Sequence, residues 1–255
     1  MHDPRFEHFL DEGLVTDVIR VVKTGKEASV FLCRAGAPTG RELAALKAYH
    51  PYERRDFRDD DLYRDGEYIK EHSVRKAVAK RSRFGREAYG GIWVNREWEA
   101  LRDLSAAGAP VPSPIARTDD AILMSYVGDA DQPAPQLRSV RPRPDEASEL
   151  FRQVLRGIET MLAANVIHGD LSPYNVLVWR GRATVIDLPQ AVDPRKNRFA
   201  EELLRRDVEN VGRFFARLGV ENDPERIAGD LWTSWTFADL VPGDLSGRAP
   251  DVPAR

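Results

Sequence analysis

Two carboxylates and one carboxamide stand at a spacing that can do chemistry in the second half of the chain. They lie in His168-Gly169-Asp170-Leu171-Ser172-Pro173-Tyr174-Asn175 and, about a dozen residues on, in Ile186-Asp187. Asp170 on a loop is placed to accept the proton of an attacking hydroxyl late in a transfer step. Asn175, separated from Asp170 by four residues, offers a neutral oxygen for Mg²⁺ without adding charge beside phosphates. Asp187 supplies a hard anionic ligand able to bridge metal and phosphates. The residues between them read as the device that joins them. Val176 to Trp179 is a strand, Arg180-Gly181-Arg182 a turn, and Thr184 to Ile186 a second strand, so a hairpin returns Asp187 beside Asn175. The bland alternative is a polar loop with a capping Asp. A lone Asp-Leu would favour it; Asn175 and Asp187 at these offsets do not.

A phosphate-handling site also needs a cation, and Lys47 in Ala44-Ala45-Leu46-Lys47-Ala48 is the candidate. A strand lysine among apolar neighbours can equally snorkel at a sheet edge. Glu97 is its expected ion-pair partner, on a helix carried by Trp93, Arg96, Glu97, Ala100, Leu101 and Leu104 and ended by Gly108. Glu99 is two residues away and faces elsewhere. Between the first two strands, the turn formed by Gly25, Lys26, Glu27, Ala28 and Ser29 is placed to present backbone N–H groups and the Ser29 hydroxyl to phosphates. It is neither G-x-G-x-x-G nor a Walker A sequence. Met124, Tyr126 and Val127, at the end of a later strand, are the expected hinge whose backbone meets adenine.

These residues need a scaffold, and the pattern of the chain provides one. Val18 to Lys23, Ser29 to Cys33 and Leu43 to Tyr49 read as an antiparallel meander, with joints too short for crossover helices. Ile115 to Arg117 and Ala121 to Val127 are further strands. A Pro-rich connection over 128–144 separates this first part (1–127) from a helical part (145–241). The helical part opens with an apolar stripe of Ala147, Leu150, Phe151, Val154, Leu155, Ile158, Met161 and Leu162. Pro144, Asp145 and Glu146 suit the first turn of that helix. Later helices are expected over Ala200 to Leu218 and Pro224 to Trp235. The tail 242–255, rich in Pro, Gly and Asp, reads as frayed.

The 255 residues suffice for a bilobal domain with a sizeable core. Thirty-eight basic against 41 acidic residues leave a net charge of −3, which points to no polyanion partner. Locally, Lys70, Arg75, Lys76, Lys80, Arg81, Arg83 and Arg86 face a single acid, Glu71. This run is either a solvated face or a contact for RNA. It lies in a highly charged stretch (about 50–91) expected to be part helix and part mobile. Cys33 is the sole cysteine, which excludes an intrachain disulfide and suits a reducing cytoplasm. There is no leader pattern after Met1, and no apolar run approaches the roughly 20 residues that span a bilayer.

Taken together, Thr24-Gly25-Lys26-Glu27-Ala28, Ala45-Leu46-Lys47, Trp93-x-x-x-Glu97, the His168 to Asn175 segment and Ile186-Asp187-x-x-Gln190-Ala191-Val192 resemble a RIO-type atypical serine/threonine protein kinase, nearest the first subgroup. The Arg205-Arg206-Asp207-x-Glu209-Asn210 stretch is also similar to that family. The resemblance runs from about Asp11 to Leu218. It implies an α+β, two-lobed protein-kinase-like fold, with a small antiparallel sheet plus helix in one lobe and a mostly helical second lobe. It implies ATP and Mg²⁺ (or Mn²⁺), with Lys47 on the phosphates, Glu97 as its partner, Asp170 as the catalytic aspartate, and Asn175 and Asp187 as metal ligands. Pro173, where many members carry an acidic residue, and Leu188-Pro189 depart from the pattern without removing a catalytic group. The acceptor would be a protein, including the chain itself. Competing readings are an ATPase switch docking on ribosomal particles, favoured by the lack of Ala-Pro-Glu after Asp187, and a small-molecule phosphotransferase of the aminoglycoside-kinase type. A catalytically dead binding fold is disfavoured by the retained Lys47, Asp170, Asn175 and Asp187.

Overall fold

A computed structural model describes residues 3–50 and 83–248, with side chains from residue 93 onward in the helix that begins at 83. Most of the charged stretch 50–91, the side chains of the basic run Lys70 to Arg86, and residues 249–255 therefore lie outside the described residues. The chain divides into two compact units. Among described residues the first holds 3–50, 83–102 and 112–133, and the second 103–111 and 134–248.

The first unit begins with a helix that the sequence reading did not identify, α1 (Pro4–Asp11). Asp3 caps it, its carboxylate accepting from the Arg5 N–H at 3.1 Å, with Pro4 at the first helical position. Five strands follow: β1 (Val15–Thr24), β2 (Ala28–Ala35), β3 (Leu43–Tyr49), β4 (Pro114–Arg117) and β5 (Ala121–Ser125). They form one antiparallel sheet in the order β1-β2-β3-β5-β4. β3 is central, which explains its apolar character on both faces. Its Ala44, Leu46 and Ala48 join Phe6, Phe9, Phe31 and Leu123 in the core on the α1 side. Side chains alternate across a strand, so Lys47 points to the opposite face. The helix α2 (Arg83–Ala106) starts ten residues before Trp93, the first residue of the expected helical pattern. Cys33 is fully buried, and burial pushes its thiol up to about 12, so it behaves as a small hydrophobe.

The second unit is mostly helical: α3 (Pro144–Ala163), α4 (Ala200–Ala216) and α5 (Pro224–Thr236). The Glu146 carboxylate accepts from the Arg143 N–H at 3.0 Å and closes the start of α3. The apolar stripe of α3 is buried as its spacing requires, with Phe151 and Phe215 of α4 in ring contact at 5.2 Å. A hairpin, β6 (Val176–Trp179) and β7 (Arg182–Val185), supplies the only extended pairing among this unit's described strands. Its turn places both Arg180 (φ 49°) and Gly181 (φ 76°) in the left-handed region, the geometry that matches strand twist in a two-residue hairpin. β7 thus ends one residue before the expected Ile186, and β5 ends at Ser125 rather than Val127.

The tail is also corrected in part. Glu159 of α3 is buried and accepts from the N–H groups of Gly243, Leu245 and Ser246 and from the Ser246 hydroxyl, at 2.7–2.9 Å. A Pro- and Gly-rich composition gave no sign of this anchor, because the partner lies more than 80 residues away on a helix.

Candidate active site

In the first unit the candidate residues are carried by β3 and α2. Lys47 pairs in register with Val30 and Ile122, which fixes its Cα in the middle of the sheet. Its Nζ donates to both carboxylate oxygens of Glu97 at 2.7 and 2.8 Å, and both side chains are buried. Such a pair survives burial only because each charge compensates the other. Glu99, the competitor, is exposed.

The turn between β1 and β2 occupies residues 25–27. Gly25 and Lys26 form its exposed tip, and the Gly25 N–H donates to the Ala28 carbonyl at 2.9 Å. Ala28 and Ser29 already belong to β2 and are buried. The Ser29 hydroxyl donates to Thr24 Oγ1 at 3.2 Å, so this group is committed within the sheet. Glu27 is half-buried, and its carbonyl accepts from the His50 N–H at 2.7 Å. Met124 sits inside β5 opposite Ala45, while Tyr126 and Val127 follow the strand and are half-buried. Ser125 closes that end of β5: its hydroxyl accepts from the Ser113 N–H at 2.9 Å, and its own N–H donates to the Ser113 carbonyl at 2.8 Å.

In the second unit the sequence His168 to Asn175 folds into a loop whose parts hold one another. Asp170 donates its N–H to His168 Nδ1 at 3.3 Å, while His168 Nε2 lies 3.0 Å from the Ile186 carbonyl. This assigns the neutral Nε2–H tautomer, with the ring bridging the loop to the strand end. The Asn175 amide donates to the Asp170 carbonyl at 2.9 Å, leaving Oδ1 as its acceptor. The Ile186 N–H donates to the Asn175 carbonyl at 2.9 Å, so the hairpin delivers Asp187 next to Asn175. Asp187 has φ 70°, a left-handed conformation that costs a non-glycine residue about 1 kcal/mol or more.

Asp170 is exposed, yet protein atoms surround it on several sides. That enclosure, together with the Asp187 charge, raises its pKa, and the Arg206 guanidinium opposes the rise. A raised carboxylate is a better proton acceptor.

The residues that sequence reasoning did not assign are those that hold the loop from behind. Asp207 of α4, fully buried, accepts from the Gly169 N–H at 2.8 Å and the Leu171 N–H at 2.7 Å. Arg206 donates to the Gly169 carbonyl, and Asn210 to the Leu171 carbonyl at 3.2 Å. Gly169 itself takes φ 82°, where a side chain would be strained. Burial pushes the Asp207 carboxyl up to about 7, against the two N–H bonds and Arg206. The family likeness of the Arg205 to Asn210 stretch pointed to these residues without giving them a role; a second signal was an acid and an amide at positions 207 and 210 on the buried face of an amphipathic helix.

A metal fits the chemistry of this donor set. Among the described residues, no group of three His, Cys, Asp or Glu side chains could hold an ion. Asn175 Oδ1 and the Asp187 carboxylate provide two oxygen donors, which suits Mg²⁺ that takes its other ligands from phosphates and water.

The family model described as the RIO domain matches residues 29–227. The chain belongs to the RIO kinase family. It is 38% identical over 164 residues to the RIO-type serine/threonine-protein kinase Rio1 of Thermoplasma acidophilum, covering 62% of this chain and 85% of that protein. It is 33% identical over 212 residues to human serine/threonine-protein kinase RIO1, covering 83% of this chain but 35% of the relative, so it spans about a third of that protein's length. In structure it resembles the Rio2 kinase of Chaetomium thermophilum, in an ADP/Mg²⁺-phosphoaspartate complex, with a TM-score of 0.69 over 95% of this chain and 68% of that one. At 23% identity this likeness establishes the protein-kinase-like fold. No helix among the described residues is long and apolar enough to cross a membrane.

Proposed function

We propose that the protein is an ATP-dependent serine/threonine kinase in which Asp170 is the catalytic aspartate, Lys47 binds nucleotide phosphates, and Asn175 with Asp187 hold Mg²⁺ or Mn²⁺. The observation that carries this reading is the bonded chain Asp170 carbonyl, Asn175 amide, Asn175 carbonyl, Ile186 N–H, which ties the base and both metal donors into one rigid loop. Lys47, fixed by Glu97, offers an oriented ammonium to phosphate oxygens. Asp170 orients the acceptor hydroxyl and takes its proton as the bond to the γ-phosphorus of ATP forms and the bond from that phosphorus to the ADP oxygen breaks. The metal, when bound, neutralises phosphate charge. Gly25 and Lys26 are the turn residues best exposed to cover phosphates; Met124, Tyr126 and Val127 are proposed to line the adenine.

The acceptor is proposed to be a protein hydroxyl, with the chain itself as one substrate. The lone, inert Cys33 suits a cytoplasmic location.

A second reading is an ATPase switch that docks on a ribosomal particle. It is favoured by the strained left-handed Asp187 and by the phosphoaspartate in the Rio2 structure of similar fold. Incubation with γ-labelled ATP and Mg²⁺, following protein label and released phosphate, separates the two. The kinase reading expects label stable to hydroxylamine and lost in Asp170→Ala, with transfer reduced roughly 10³-fold and ATP still bound. Asp187→Ala is expected to abolish metal-dependent nucleotide binding. Hydroxylamine-sensitive label with rapid phosphate release would establish the switch. Full transfer by Asp170→Ala would show that the base is another group.

A further inference from the structure

Tyr174 lies inside the catalytic loop yet plays no part in the hydrogen bonds that shape it through its ring. The residue is 55% exposed, high for a large aromatic. It is covered on one face by the guanidinium of Arg138, 4.4 Å from the ring centre. Arg138 is held there by the backbone. Its N–H donates to the Pro173 carbonyl at 3.1 Å, and the neighbouring Gln136 donates from Nε2 to the Tyr174 carbonyl at 2.6 Å. Gln136 also bridges to Leu177, and the Val178 N–H donates to the Pro135 carbonyl at 2.9 Å. Gln136 thus forms a single bridge to β6, and the 3-10 turn Leu137–Ser139 that follows holds Arg138 beside the loop.

Arg141 folds back onto the same segment, donating to the Arg138 and Val140 carbonyls at 3.2 and 3.1 Å. Among the described residues neither Arg138 nor Arg141 has a carboxylate partner; Arg138 Nε is satisfied by the Gln136 amide oxygen at 3.0 Å. Arg143, two residues on, differs: it is paired with Asp145 and Glu146. Arg138 is thus fixed against the loop that carries Asp170 and Arg141 against the segment beside it, two exposed guanidiniums without a carboxylate partner among the described residues. Arginine in this state recognises carboxylates by paired hydrogen bonds.

We propose that Arg138 and Arg141, with the exposed ring of Tyr174, form an acceptor subsite that selects serine or threonine hydroxyls set in an acidic peptide. The subsite deepens the kinase reading and rests on it for the identity of the reacting hydroxyl. The peptide's Glu or Asp side chains engage the two guanidiniums, and its backbone lies on the Tyr174 ring. An acidic peptide is favoured over RNA because the patch adjoins the hydroxyl-accepting loop and presents only two cations.

The test uses the full chain and two fluorescent peptides, one with a single serine flanked by glutamates and one with glutamines in their place. Binding is read by anisotropy at low salt, and phosphate transfer by label. The wild type should prefer the glutamate peptide. In Arg138→Ala/Arg141→Ala its affinity should fall about tenfold, while the glutamine peptide and ATP are bound as before; Arg138→Lys should recover part of the loss. KM for the glutamate peptide should rise with kcat little changed. Equal losses on both peptides, or no wild-type preference, overturn the proposal. So does equal competition by a single-stranded RNA of the same charge. Selective binding of the glutamate peptide without any phosphate transfer would leave the subsite standing and remove the kinase reading alone.

Discussion

The candidate residues of the first unit and those of the second are held in opposite ways. Lys47 is fixed by another side chain, Glu97, across 50 positions of sequence. The loop carrying Asp170 is fixed mainly through its backbone, whose N–H groups and carbonyls are met by Asp207, Arg206 and Asn210 of α4. A side-chain pair can be removed together, because deleting both partners deletes both desolvation costs. A side chain that serves backbone amides has no such partner to delete. The first region should therefore be repairable in stability by a second substitution, and the second should not.

The strongest way to break this contrast is Asp207→Ala. It leaves two buried N–H groups without an acceptor, at about 1–3 kcal/mol each. We expect a loss of roughly 2–5 kcal/mol in urea unfolding. A fall in transfer of about 10²-fold or more is also expected, as the Asp170 loop loosens. A second-site change that restores both would refute the distinction. The same residue gives a pH test. Its folded-state pKa, about 7, lies above the ordinary 3.8, so the folded state binds the proton more tightly. The stabilisation is complete below about pH 4 and is lost as pH rises through 7. In Asp207→Asn, the decline in stability between pH 4 and 7 should be shallower than in the wild type.

Glu97→Gln comes next. It strands the buried Lys47 charge, at roughly 3 kcal/mol, and weakens ATP binding. Lys47→Met/Glu97→Leu should recover most of the stability without recovering nucleotide affinity. If the double variant is no more stable than Glu97→Gln, the pair is not the self-contained unit described. The smallest effect is expected at Arg180, whose left-handed φ of 49° is local to the hairpin turn. Arg180→Asn suits that conformation and should stabilise by a few tenths of a kcal/mol up to about 0.5, with transfer unchanged. A large loss of transfer would mean that the turn itself, and not only the Ile186–Asn175 bond, positions Asp187.

Legibility followed the range of the interaction. β3 and β6 and the start of α3 were readable because a central strand is apolar on both faces and a helix start carries its own proline and acids. α1 went unread although Asp3-Pro4 is a cap signature, since eight residues hold too little periodicity to stand out; Phe6 and Phe9 give it away only once they meet Phe31. Ser29 was readable as a polar group near a turn, but not as one already bonded to Thr24.

By itself, the sequence picked out Lys47, Glu97, Asp170, Asn175 and Asp187 as candidates, because that choice needs only residue type and spacing along a strand, a helix, a loop and a hairpin. It also determined the family through those same residues. Only the tertiary structure decided that Asp207 holds the loop, that Glu159 anchors 243–246, and that Arg138 lies on Tyr174 without a carboxylate partner. Each of these joins groups at least 30 residues apart, and two of the three involve backbone atoms, which every residue carries alike and which therefore leave no mark in the sequence.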